Sequence, residues 1–305
     1  MNTQENNGSP DQHRKVQPRS APPGPLPRPL VAVMSSGFFG FFAHAGFLQG
    51  LEDLGLDPDA YAGTSSGALV AAFAAAGVRP LDMVARFQRL RKEHFWDPPT
   101  PASFIRLLLR RFRGRTGYLA GQAFSDLLER DLPVKSFEDC VKPCLVVALD
   151  AAGKGRVILH KGALIPAVVA SGAVPIMFSA VKRGQELLLD GGLVDKAPLM
   201  AAYRHFGAAS MAVHYLPSGS LTKPISHTLS RNWTPLKLQA RAIDAARLQV
   251  YQDQLEQVGT AGVWLCEVKA LDQIRVGPTR LHLGKRAFDQ ARERTRDVLA
   301  NCQWS

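Results

Sequence analysis

The chain is poor in the features that mark special protein classes. Its 305 residues include four cysteines, Cys140, Cys144, Cys266 and Cys302. That is too few for a disulfide framework at this length, and without a second close pair or clustered histidines they form no zinc pattern. They read as buried or inert thiols, a usage that suits a reducing compartment. No run approaches the roughly 18 apolar residues of a membrane span; the longest candidate, GALVAAFAAAG, is short and mostly alanine. The opening MNTQENNGSPDQHRKVQPRSAPPGPLPRPL lacks the apolar stretch of about 7–15 residues that a secretory signal needs, so a cytoplasmic location is expected. No repeat of 20–50 residues is visible, which argues against a solenoid. Acidic residues are in the minority, 26 against 37 Lys and Arg, for a net charge of +11. Residues 86–115 alone carry nine basic and two acidic side chains. Such a balance favours anionic partners. No nucleic-acid motif is present and aromatics do not interleave with the basic cluster, so nucleic acid is not expected and an anionic lipid surface is the better candidate. Gly37 and Gly40 are spaced G-x-x-G with no P-loop lysine after them, so no nucleotide cofactor is expected, nor a metal.

What is present reads as a globular body behind a tail. Residues 1–29 are polar and Pro-rich and are expected to be a disordered tail. Residues 30–305 show no composition break and read as one domain. PLVAVMSS is a buried strand, and GFFGFFAHAGFLQGLEDLG is a glycine turn opening a helix. PDAYAG is a short strand, Ala68–Ala76 a helix, and PLDMVARFQRLRKEHF and GQAFSDLLERDL further helices. PCLVVALDAA and GRVILHKG read as paired strands, ALIPAVVASGAVP as a small-residue helix, and QELLLDGG and AASMAVHYL as strands. A long amphipathic helix is expected at 235–259, with apolar positions at Leu236, Leu238, Ile243, Ala246, Val250 and Leu255. A strand (GVWLCEVKA) and a terminal helix (KRAFDQARERTRDVLANC) follow. Strands alternating with helices predict an α/β fold with a mainly parallel central sheet.

The chemistry concentrates at Gly63-Thr64-Ser65-Ser66-Gly67, a Gly-x-Ser-x-Gly sequence between a strand and a helix. Such a turn is tight, so its elbow positions, Gly63 and Gly67, need to lack side chains. The helix behind it offers free N–H groups and a positive dipole end to developing negative charge. The stretch reads either as a small-residue turn before an Ala-rich helix or as a catalytic elbow; in the second case Ser65 is the nucleophile and Ser66 a helix-start residue. A serine hydroxyl needs a base. One solution is a Ser-Asp-His triad built from Asp190 and one of His205, His214, His227 or His282. The other is a dyad with Asp190 alone, which stands at a strand end in LLLDGGL. The backbone N–H groups of Ser35–Phe41 can form the nest that an oxyanion requires.

SSGFFGFFAHAGFLQGL, AGTSSGAL, ASGAVPIMF and LLLDGGLVDKAPL occur in the order and approximate spacing of the patatin-like phospholipases, and residues 30–200 resemble that family. The resemblance implies a three-layer α/β/α sandwich and lipid acyl ester substrates. It implies Ser65 as nucleophile, Asp190 as general base, and Gly37 with Phe38 as oxyanion-hole donors. Two positions depart from the family's Gly-Gly-Gly-x-Arg-Gly loop: Ser36 replaces a glycine and Phe39 the arginine. A glycine at 36 can hold a backbone geometry that a serine resists. Independently of the family, only one strand and one helix precede the elbow strand, too few for an α/β-hydrolase, which favours the dyad. His44, near the loop, is expected to pack rather than catalyse.

The expected activity is therefore a lipid acyl hydrolase of phospholipase A or lysophospholipase type, working through an acyl-enzyme. The alternatives are an inactive relative that binds anionic lipid and a Ser-Asp-His esterase. Residues 104–113 put Arg106, Arg110 and Arg113 on one side of a short helix and Phe104, Leu107, Leu108 and Phe112 on the other. That pattern suits either membrane contact or core packing. Phe38–Phe42 can line an acyl pocket or belong to the core.

Overall fold

The computed structural model describes residues 25–100, 109, 116–153, 155–221 and 234–302. The basic helix expected at 104–113, Leu109 excepted, His227 and most of the 1–29 tail lie outside the described residues. The strands are β1 (Leu30–Met34), β2 (Ala60–Thr64), β3 (Gly117–Leu119), β4 (Cys144–Asp150), β5 (Gly155–Leu159), β6 (Ile176–Phe178), β7 (Val181–Arg183), β8 (Glu186–Asp190), β9 (Ser210–Tyr215) and β10 (Trp264–Lys269). The helices are α1 (Phe41–Asp53), α2 (Ser66–Ala75), α3 (Pro80–Gln88), α4 (Gln122–Asp131), α5 (Leu164–Ser171), α6 (Leu199–Phe206), α7 (Pro235–Thr260) and α8 (Gly284–Ala300).

The main sheet runs β10-β9-β1-β2-β4-β8-β7, with β5 also paired to β4. From β10 to β4 every pairing is parallel, while β5, β8 and β7 pair antiparallel. A parallel strand covered on both faces needs apolar residues throughout, which explains the unbroken LVAVM of β1. Its side chains alternate: Leu30, Ala32 and Met34 enter the core under α1, α2 and α8, and Val31 and Val33 enter the opposite core with residues of α6 and α7. The result is the three-layer α/β/α sandwich with a mainly parallel sheet. No helix among the described residues is long and apolar enough to cross a membrane.

Three sequence expectations change. The short strands β3, β6 and β7 were not legible, since three residues give no usable period. In α7, Leu236, Leu238 and Val250 are exposed, and the buried positions are Tyr251, Gln254 and Val258. Among the described residues nothing covers the first turn and a half of that helix, where residues 235–240 are all exposed, and apolar burial begins only at Tyr251. Cys266 and Cys302 are not inert thiols but a disulfide, because β10 and the end of α8 lie side by side with these Cα atoms 6.3 Å apart. Cys140 and Cys144 are free.

The helix that leads away from the first turn is pressed against the last one. α1 packs along α8, and a Cβ built at Gly46 would lie 2.1 Å from the Phe288 carbonyl oxygen. Helix propensity alone favours alanine over glycine by about 1 kcal/mol. Here the backbone clash outweighs it, and Gly46→Ala is expected to destabilise the protein by about 1–3 kcal/mol, seen as a lower urea midpoint at unchanged slope.

Candidate active site

The loops that carry the expected site leave the carboxyl ends of neighbouring strands, where open α/β sheets hold their ligands. β1 runs into Ser35–Gly40, and β2 runs into Ser65. Strand register brings Asp190 to the same level. Thr64 pairs with Val147 across β2 and β4, and the next β4 residue, Ala148, pairs with Asp190 on β8. Two residues 125 positions apart thus meet across one strand, and the Ser65 Oγ donates to Asp190 Oδ2 at 2.8 Å.

Ser65 has φ 55° and ψ −118°, a conformation a side chain resists. Its neighbours allow it. Cβ atoms at Gly63 and Gly67 would stand 2.3 Å from the carbonyl oxygens of Gly67 and Met34, respectively. The Ser65 N–H donates to Ser171 Oγ at 2.8 Å, and that hydroxyl donates to the Val147 carbonyl at 2.6 Å. Ser171 belongs to the ASGAVP segment, but its contact with Ser65 carries no sequence signal. It needs α5 to lie over β4.

Asp190 is buried and its other oxygen accepts the Gly192 N–H at 2.7 Å. Burial raises its pKa to about 6, against the lowering effects of Ser65, Gly192, Arg247 and Lys196. In the loop after β1, the N–H groups of Ser35 and Ser36 are taken by the carbonyls of His214 and Lys196, and that of Gly40 by Gly37. Gly37 and Phe38, the expected oxyanion donors, lie between these engaged groups.

The strain expected at Ser36 is elsewhere. Ser36 avoids the left-handed region, is buried, and its hydroxyl packs against Gly192. The left-handed residue is Phe39, at φ 53°. Its ring lies 4.9 Å from that of Phe38, 5.6 Å from Phe41 and 5.3 Å from Phe95, centroid to centroid, and this cluster holds the backbone there. The Phe38–Phe42 stretch divides: Phe38, Phe39 and Phe41 line a pocket with Ser65, while Phe42 is wholly in the core. That pocket has a volume of about 160 Å³, and its walls, including Leu69, Phe73, Phe87 and Phe124, are almost wholly apolar.

Among the described residues no histidine bonds Ser65 or Asp190. His44 and His214 form a buried pair, Nδ1 to Nδ1 2.8 Å, and burial drops His44 to about 3. His205 packs against His160 with ring centroids 4.1 Å apart and planes tilted by 47°, and His282 is exposed. Removal of the Ser65 side chain tests the backbone reading. Ser65→Gly is expected to be more stable than Ser65→Ala by about 1–2 kcal/mol in chemical denaturation, reversing the usual order of these residues.

The sequence matches a known family. A family model described as patatin-like phospholipase matches residues 32–203. An uncharacterised NTE family protein of Mycobacterium bovis is 30% identical over 173 residues, covering 56% of this chain and 27% of its own length. Another, from Mycobacterium tuberculosis, is 30% identical over 173 residues, covering 57% and 45%. The chain thus spans less than half the length of these curated relatives. The crystal structure of VipD from Legionella pneumophila covers 89% of this chain and 67% of its own, with a TM-score of 0.44 at 13% identity. That likeness is distant. The family match, by contrast, takes in the loop after β1, the Ser65 turn and the Asp190 turn, over more than half of the sequence: the chain belongs to the patatin-like phospholipase family.

Proposed function

We propose that the protein is a lipid acyl hydrolase in which Ser65 and Asp190 act as a catalytic dyad. The observation that carries this reading is the 2.8 Å bond from Ser65 Oγ to Asp190 Oδ2 at the mouth of an apolar pocket. As Ser65 Oγ attacks the ester carbonyl, its proton passes to the Asp190 carboxylate. The carbonyl oxygen becomes an oxyanion facing the Gly37 and Phe38 N–H groups. Collapse of the tetrahedral intermediate breaks the bond to the alcohol, which takes the proton from Asp190. Asp190 then removes a proton from water, the hydroxide attacks the acyl-enzyme, and the fatty acid leaves as Ser65 regains its proton. One ester and one water give one acid and one alcohol.

The pocket defines the acyl side. Its volume of about 160 Å³ matches that of a dry cavity which takes a benzene, at about 150 Å³, and suits the carbonyl-proximal part of an alkyl chain. Around its mouth Phe38 is 59% exposed, and Ile176, next to the lining residue Met177, 73% exposed. With the +11 net charge, these side chains support peripheral contact with an anionic bilayer that presents phospholipid or lysophospholipid.

Ser65→Ala and Asp190→Asn are each expected to lower kcat for p-nitrophenyl esters by at least ~10³-fold, while His205→Ala and His282→Ala stay near wild type. Because the base must be ionised, kcat/KM is expected to fall as pH drops through about 6. A flat profile from pH 7 to 4, or full turnover in Ser65→Ala, counts against the dyad. Leu69→Trp fills the pocket, and is expected to cut turnover of a long-chain ester at least about tenfold relative to the acetate ester.

A further inference from the structure

A buried polar cluster lies behind the Asp190 turn, and its cationic arm comes from α7, beyond the residues that the family model matches. Arg247 Nη1 donates to the Gly192 carbonyl at 2.8 Å. Its Nη2 donates to Ser218 Oγ at 3.1 Å and also pairs with Asp244 on the same helix. Lys196 donates to the same Ser218 hydroxyl at 2.8 Å. The Arg247 side chain is only 18% exposed and Lys196 is buried. Two cations converging on one hydroxyl in a desolvated place is a costly arrangement unless a nearby anion offsets it. Asp244 is one such anion, and Asp190 is the other.

We propose that Arg247 is a positioning residue for the general base: it fixes the Gly191–Gly192 turn through the Gly192 carbonyl and favours the ionised form of Asp190 by its charge. This rests on the dyad reading above and adds to it a part supplied by the C-terminal third of the chain. The same Gly192 presents its N–H to Asp190 Oδ1, so a guanidinium holding the carbonyl of that residue also aims its N–H. The charged groups on elements packed against the turn are Asp150 on β4, Asp195 with its partner Arg156, Lys196, and Asp244 and Arg247 on α7. Those whose charge acts on Asp190 are Arg247 and Lys196. Burial pulls Lys196 down to about 7, so its charge fades at neutral pH, whereas an arginine stays charged. Both side chains are cations where Asp190 titrates, and above neutral pH Arg247 is the one that stays charged.

Two substitutions separate its two tasks. Arg247→Gln keeps N–H donors and drops the charge, and is expected to move the acid limb of kcat/KM up by about one pH unit. Arg247→Lys keeps the charge but not the planar fork; the limb is expected to stay in place while kcat falls on the order of tenfold. A purely structural role would lower the melting temperature and move neither quantity. If Arg247→Gln fails to fold by circular dichroism, the kcat of Arg247→Lys decides alone. An acid limb unmoved in Arg247→Gln, with kcat within twofold of wild type in both, overturns the proposal. Turnover that survives Ser65→Ala sinks the dyad itself. An active, Ser65-dependent enzyme indifferent to both Arg247 variants sinks only this inference.

Discussion

The arrangement depends on one backbone conformation, that of Ser65. At φ 55° the residue points its hydroxyl out of the strand–helix turn toward Asp190 and turns its N–H toward Ser171. Strain of this kind costs on the order of 1–3 kcal/mol and persists only where the surroundings leave no alternative. Here they leave none: a strand fixes one side, a helix start the other, and a hydroxyl anchored on β4 holds the amide between them. Phe39 repeats the pattern in the facing loop, with an aromatic cluster as the constraint instead of hydrogen bonds.

Much of this could be read from the residues because it is local. Gly63 and Gly67 announce a turn that excludes side chains, the apolar run of β1 announces a strand buried on both faces, and LLLDGG announces a strand that ends in a carboxylate. The family resemblance joins these pieces. What was not legible is long-range. Nothing in ASGAVP says that Ser171 will reach Ser65, and nothing in the spacing of Cys266 and Cys302 says that β10 and the end of α8 will be neighbours. The expected strain at Ser36 was placed by analogy with glycine, yet only three-dimensional packing shows that Phe39 bears it. In α7, periodicity pointed at Leu236 and Leu238 because an apolar stripe is visible in sequence whether or not a core lies opposite.

In the proposed dyad, burial and charge are opposed at Asp190, and their balance sets how strong a base it is. A carboxylate in water is too weak a base for a serine hydroxyl, and one buried without partners takes up a proton and ceases to be a base at neutral pH. A pKa near 6 lies between these limits. The hydrogen bonds from Ser65 and Gly192 and the charges of Arg247 and Lys196 keep the group on the useful side. An apolar pocket beside it limits water without removing these partners.

The packing of α1 on α8 also has a consequence in time. The chain is made from its amino end, so the loop after β1, the Ser65 turn and α1 exist long before Phe288 and its helix do. Until α8 arrives, Phe42, Phe47 and Leu51 of α1 lack part of the surface that later covers them. The segment that carries the Ser65 turn must therefore wait, partly bare, until more than 200 further residues are made. A nascent molecule cannot complete the packing around the Ser65 turn early, because α8, made more than 200 residues later, is the helix that covers α1.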